Sequence, residues 1–195
     1  MSEAAPAANG WPPRFHLLYN AAMDIHVFPD GTLEWSGHRV RCAVGRAGVR
    51  TDKREGDGAT PAGVFDVRSV MYRPDRIARP RTALLVRAID ANDGWCDDPG
   101  DPAYNRLIRL PHPARHERLW RDDGLYDLIA VIGYNDDPVV PGAGSAIFLH
   151  VAGPGYPPTE GCIALAIGDL VAVLAECAPG DRIIVSENAR AAPRG

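Results

Sequence analysis

Apolar and polar residues alternate along much of this chain, in short runs broken by Gly, Pro and Asp. Alternation with a period of two marks a strand that buries one face. Asp24-Ile-His-Val-Phe28 and Thr32-Leu-Glu-Trp35 flank Pro-Asp-Gly, which predicts a hairpin with an Asp-Gly turn. His38 to Val44 alternates and predicts the next strand. Gly63 to Tyr72 and Thr82 to Ile89 follow in the same manner. Tyr126 to Gly133 is an apolar run rich in β-branched residues, which predicts a buried strand. Ser145 to Val151 and Arg182 to Val185 complete the set.

One segment has helical spacing instead. Ile167 to Cys177 repeats apolar residues every three or four positions, with Asp169 as the expected N-cap and Pro179-Gly180 as the stop. Asp90 to Arg106 reads as a long loop, in which Trp95 and Tyr104 argue against disorder. Short, turn-separated strands predict a mainly β fold, a sandwich- or barrel-like sheet with one or two helices, one of them near the C-terminus. The length of 195 residues fits one domain, expected over 14–187, between a flexible lead-in at 1–13 and a flexible tail at 188–195.

Composition narrows the function. The net charge of −4 lacks the basic excess of a nucleic-acid protein, so no nucleic-acid partner is expected. No apolar run reaches the length of a membrane span, so no membrane partner is expected either. The N-terminus, MSEAAPAANGWPPRF, lacks the basic start and apolar stretch of a secretory signal, which predicts a cytoplasmic protein, the alternative being a periplasmic or cell-wall one exported by another route. The four cysteines, Cys42, Cys96, Cys162 and Cys177, are far apart. In a reducing compartment each is a buried small hydrophobe or a reactive thiol.

Cys162 is the candidate for reactivity. Gly161 precedes it, and a glycine lets backbone N–H groups converge on an oxyanion. His150 ends the preceding strand, and an imidazole can hold a thiol proton. If the two segments are neighbouring strands, the Gly- and Pro-rich loop between them returns the chain so that the side chains meet. A buried packing cysteine and a satisfied core histidine are the plainer alternatives. Arg46, Lys53 and Arg54 are candidates for a substrate carboxylate, or a solvated face. Trp95 and Tyr104 are candidates for a pocket wall, or a small core under the loop. His112 and His116 have a spacing seen in zinc sites, but the prolines work against a helix and no Cys pair accompanies them, so no metal is expected. Cys42, Cys96 and Cys177 are read as structural.

Three motifs together resemble the L,D-transpeptidase (YkuD-like) family. His150 followed by Thr159-Glu-Gly-Cys162 and Ile163 resembles its catalytic segment, a strand-end histidine, a loop and Ser/Thr-His-Gly-Cys. Gly58-Ala-Thr-Pro-Ala-Gly-Val-Phe65, led by Val44-Gly-Arg46, resembles its Thr-Pro-x-Gly-x-Phe signature. Asp169-Leu170 and the run Pro179 to Val185 resemble its closing helix and last strand. The likeness covers about residues 38 to 186.

The resemblance implies a cysteine acyl transferase acting on peptidoglycan tetrapeptides or muropeptides, without a metal or organic cofactor. Cys162 would be the nucleophile and His150 the base, with the N–H groups of Gly161 and Cys162 at the oxyanion. An amine acceptor would give a cross-link and water a trimmed peptide; the missing signal favours the second, an L,D-carboxypeptidase of muropeptide recycling. A catalytically silent peptidoglycan-binding domain is the remaining alternative. The chain departs from the family in carrying Glu160 where a histidine is usual, and in a shorter interval between His150 and Cys162. Glu160, with Thr159 beside it, is therefore expected to face the substrate and to meet a cationic group on it, the alternative being a surface carboxylate.

Overall fold

Fourteen strands and one helix are built from the patterns above in a computed structural model that describes residues 22–189. The expected lead-in at 1–13 lies outside the described residues, as does the tail beyond residue 189. In chain order the strands are β1 (Asp24–Phe28), β2 (Thr32–Trp35), β3 (His38–Ala43), β4 (Val49–Arg50), β5 (Thr60–Pro61), β6 (Gly63–Tyr72) and β7 (Leu85–Ala88). They continue as β8 (Asp93–Cys96), β9 (Leu107–Arg109), β10 (His116–Arg118), β11 (Leu128–Ile132), β12 (Phe148–Val151), β13 (Ile163–Leu165) and β14 (Arg182–Val185), with α1 (Ile167–Glu176) before the last.

Nine strands form one sheet in the order β11-β12-β13-β3-β2-β1-β14-β6-β7, and a further pairing of β11 with β6 curls it into a barrel-like arrangement. The β1–β2 hairpin is closed by Gly31, whose φ of 79° lies in the left-handed region that glycine enters without strain. The Asp30 carboxylate accepts the Thr32 N–H at 3.0 Å in the same turn.

Inward residues make the main core. Ile25, Val27, Leu33, Leu128, Leu149, Ile163 and Leu165 meet Leu170, Val173 and Leu174 of α1. Each such fully buried Leu or Ile contributes about 1.5–3 kcal/mol. The helix differs from expectation at its start. Its N-cap is Ala166, with no side-chain cap, and Asp169 stands in the first turn, where its charge meets the positive end of the helix dipole.

The larger difference lies in the stretch read as a long loop. Asp93–Cys96 is β8, the centre of a separate three-stranded sheet in the order β10-β8-β9. Its strands are three or four residues long, too short for alternation to reveal them. Asp93 anchors it. This fully buried carboxylate accepts from Arg87 at 2.8 Å and Arg109 at 2.9 Å. Outward residues of β11 and β12, Ile129 and Phe148, form a second core with Met71, Ile89, Leu119 and Tyr126. The Trp95 ring of β8 packs edge-on to Phe148 at 5.1 Å, so the small sheet roofs the outer face of the barrel there. Among the described residues no helix is long and apolar enough to cross a membrane.

Candidate active site

Strands β12 and β13 run parallel, with Leu149 opposite Ile163 and His150 opposite Ala164. Side chains alternate across a strand. Leu149, Ile163 and Leu165 therefore enter the barrel, while Phe148, His150, Cys162 and Ala164 project together on the outer face. The Gly- and Pro-rich loop between the strands makes the crossover that a parallel pair requires.

That loop is tied down by backbone and hydroxyl bonds. The Thr159 N–H donates to Val44 O at 3.0 Å, and the Arg46 N–H donates to Thr159 O at 2.8 Å. The Thr159 hydroxyl donates to Cys162 O at 2.6 Å and accepts the Gly161 N–H at 3.1 Å. The Gly161 N–H, expected at an oxyanion, is therefore held within the loop. Gly161 is needed for shape: its φ is 135°, and a Cβ there would stand 2.8 Å from Ala59 O. Thr60 is the first residue of β5. Its hydroxyl accepts the Gly45 N–H at 2.8 Å and lies 3.4 Å from Cys162 O.

The Cys162 thiol donates to Ala146 O at 3.1 Å, and its sulfur accepts the Phe148 N–H at 3.4 Å. Burial and then the Glu117 carboxylate push the thiol up to about 12, while the Phe148 N–H, Lys53 and Arg121 act the other way. His150 is buried, which holds its pKa below the ordinary histidine value. Its Nδ1 lies 2.8 Å from Val151 O. A carbonyl can only accept, so Nδ1 carries the proton and Nε2 keeps its lone pair. The site thus rests as a neutral thiol beside a neutral imidazole free to take a proton at Nε2.

A cavity of about 590 Å³ opens beside these two residues. The barrel and loop supply His150, Cys162, Thr159 and Glu160, and the roof supplies Asp97, Arg115, Glu117 and Arg121. Glu117 and Arg121 were not singled out by sequence reasoning, and neither was Tyr126, which also lines the cavity. The Tyr126 hydroxyl donates to Glu117 Oε1 at 2.8 Å, and its ring meets the His150 ring edge-on at 5.5 Å. Only the strand pattern around Tyr126 hinted at burial; nothing in the spacing ties Glu117 to Cys162.

The remaining candidates fall in distinct places. Lys53 lines the cavity but is buried and ion-paired with Asp57 at 2.6 Å. Arg54 is exposed and does not line it. Arg46 pairs with Glu160 at 2.9 Å, and both side chains are more than half exposed. The two candidates for opposite substrate charges thus answer each other at the rim. Trp95, which lines a smaller cavity with Asn105 and Phe148, and Tyr104 do not line this one. They stand behind it and hold the segment that faces Cys162. Trp95 Nε1 donates to Asn105 Oδ1 at 3.0 Å, and that oxygen also accepts the Ala146 N–H at 3.0 Å. The Tyr104 hydroxyl accepts the Gly144 N–H at 3.0 Å and donates to Glu55 at 2.5 Å.

His112 and His116 each engage the backbone of Ala114 through Nδ1. Among the described residues no group of three or more His, Cys, Asp or Glu side chains is placed to hold a metal ion. Cys42, Cys96 and Cys177 are buried and free of disulfides.

No curated protein matches this chain. Similar solved structures include L,D-transpeptidase 3 from Mycobacterium tuberculosis in complex with a faropenem-derived adduct, at 16% identity and a TM-score of 0.43, covering 85% of this chain and 60% of that one. An L,D-transpeptidase from Mycobacterium smegmatis matches at 14% identity and a TM-score of 0.38, covering 84% of this chain and 58% of that one. This chain therefore spans less than two thirds of the length of either. The YkuD family, described as the L,D-transpeptidase catalytic domain, matches residues 17–185. Across nearly the whole described fold, then, this protein belongs to the YkuD family of L,D-transpeptidase catalytic domains.

Proposed function

We propose that this protein transfers an acyl group from a peptidoglycan stem peptide through a thioester on Cys162. The observation that carries this reading is the shared outer face of β12 and β13. It presents a thiol and a neutral imidazole with a free Nε2 to one cavity. His150 Nε2 takes the thiol proton, and the sulfur attacks the carbonyl carbon of the L,D-amide before the terminal D-alanine. A C–S bond forms, the C–N bond breaks, and D-alanine leaves with the proton that His150 carried. The Cys162 N–H is the oxyanion donor, since the Gly161 N–H is held by Thr159. An amine acceptor then releases the acyl group as a new amide, and water in its place gives a tripeptide.

The test follows the mass of a disaccharide tetrapeptide incubated with the protein, with and without an amine acceptor. Loss of D-alanine with formation of the new amide supports the transferase. Loss of D-alanine to water alone makes the protein an L,D-carboxypeptidase. No loss in either case, and no adduct on Cys162 with a β-lactam, would sink both readings and leave a peptidoglycan-binding domain.

A further inference from the structure

The acidic side chains that face the cavity are not equally satisfied. Asp97 is bonded by Arg115 at 3.0 Å, and Glu160 by Arg46 at 2.9 Å. Glu55 accepts from two hydroxyls, Tyr104 at 2.5 Å and Ser145 at 2.7 Å. Glu117 differs. Its Oε1 takes the Tyr126 hydroxyl, and among the described residues no donor reaches its Oε2. The nearest cation, Arg121, stands 3.9 Å away and is spent on Asp123, which it chelates through Nε and Nη2. The other cations of the cavity, Lys53 and Arg115, are tied to Asp57 and Asp97.

Glu117 is also the carboxylate that acts on the nucleophile. It lines the same cavity as Cys162 from the roof; burial raises its own pKa against the Tyr126 hydroxyl and Arg121, and in its ionised form it opposes the thiolate. A carboxylate placed against a nucleophile that must become an anion is costly unless a cation joins it.

We propose that Glu117 is the recognition residue for a primary ammonium group on the substrate, and that binding this group removes the carboxylate's opposition to the Cys162 thiolate. The peptide substrate rests on the function proposed above; the charge preference at Cys162 does not. Recognition and activation are thereby coupled, because a substrate without the ammonium leaves Glu117 with only the Arg121 Nη1, 3.9 Å from its Oε1 and beyond hydrogen-bond reach. Glu160, matched by Arg46 at the exposed rim, does not take this role.

The first arm of the test needs no substrate. Modification of Cys162 is followed by peptide mass with cationic aminoethyl methanethiosulfonate and neutral methyl methanethiosulfonate, each rate divided by that for free cysteine. The wild type is expected to favour the cationic reagent by roughly tenfold, the reach of one partly screened charge pair. Glu117→Gln is expected to bring the ratio near one, and Glu117→Asp to keep part of it. Melting curves identify a variant that fails to fold, and Glu117→Asp then carries the comparison with the wild type. A wild-type ratio near one, or a ratio unchanged in Glu117→Gln, would overturn the proposal.

The second arm compares the tetrapeptide bearing a free side-chain amine with its N-acetyl form. Glu117→Gln should lower kcat/KM for the free amine and raise or preserve it for the acetylated peptide. A residue that merely held Tyr126 in place would slow both alike, and that result also counts against the proposal. If the wild type turns over neither peptide but keeps its cation preference, the function proposed above fails and the role of Glu117 stands.

Discussion

The backbone N–H of Phe148 donates to the sulfur of Cys162 at 3.4 Å, across two parallel strands. This one contact fixes the nucleophile beside β12, the strand that carries His150. Because Phe148 and His150 are two positions apart, they share a face, and the thiol lies along it.

Removing either partner should abolish chemistry without unfolding the protein. Cys162→Ala is expected to stop D-alanine release, and His150→Gln to lower kcat by about 10²–10⁴-fold. Because burial holds His150 below its ordinary value of 6.5, the acid limb of kcat/KM should fall below pH 6.5. A limb centred above 6.5 would contradict the neutral, buried imidazole.

Gly161→Ala should destabilise by about 1–3 kcal/mol, because alanine at that φ is strained and its Cβ meets Ala59 O. Urea denaturation measures this. A loss below ~0.5 kcal/mol would show that the loop relaxes freely.

Asn105→Ala removes the acceptor shared by Trp95 and Ala146 and the donor to the carbonyls of Tyr134 and Asn135. Leaving such buried groups unsatisfied should cost roughly 3 kcal/mol. Cys162 should also modify faster, since Ala146 O then loses its fixed place. An unchanged melting temperature would show that this network is dispensable.

Asp93→Asn should destabilise the small roof sheet by about 3 kcal/mol at neutral pH, since it leaves Arg87 and Arg109 without their buried partner. Hydrogen bonds from Arg87, Arg109 and the Asp90 N–H outweigh the burial that would raise this carboxyl, and hold it below 3.8. A lowered folded value means the stabilisation is complete above pH 3.8 and is lost as pH falls through the folded value. The gap between wild type and Asp93→Asn should therefore be flat above that pH and narrow below it. A gap that widens on acidification would reverse the sign of the argument.

Arg46→Gln and Glu160→Gln should each change stability by less than about 1 kcal/mol, as solvent-exposed ion pairs do. Their effect on kcat/KM should be small as well, because each occupies the other. A tenfold fall in kcat/KM for Glu160→Gln alone would return Glu160 to a substrate-facing role.

Long alternating runs were legible because a half-buried strand writes its period into the residues. The β1–β2 hairpin, β6 and β14 stand where that period placed them. The histidine, the loop and the cysteine were legible for a related reason: a loop that carries the chain from one strand to the next writes glycine and proline into a local pattern. Six of the short strands, β4, β5, β8, β9, β10 and β13, were not, since pairing with other segments holds them rather than their own sequence.

What the sequence by itself determined is the β-rich fold, the helix near the C-terminus and the placing of His150 and Cys162 at the two ends of one loop, all of which rest on local patterns. Only the tertiary structure decided which charges face the thiol. Glu160, next to Gly161 in the chain, turns outward to Arg46, whereas Glu117, far away in the chain, joins Cys162 in lining the cavity from β10. The reason is physical: a carboxylate's influence depends on distance through space and on the cations around it, and neither is written in its neighbours along the chain.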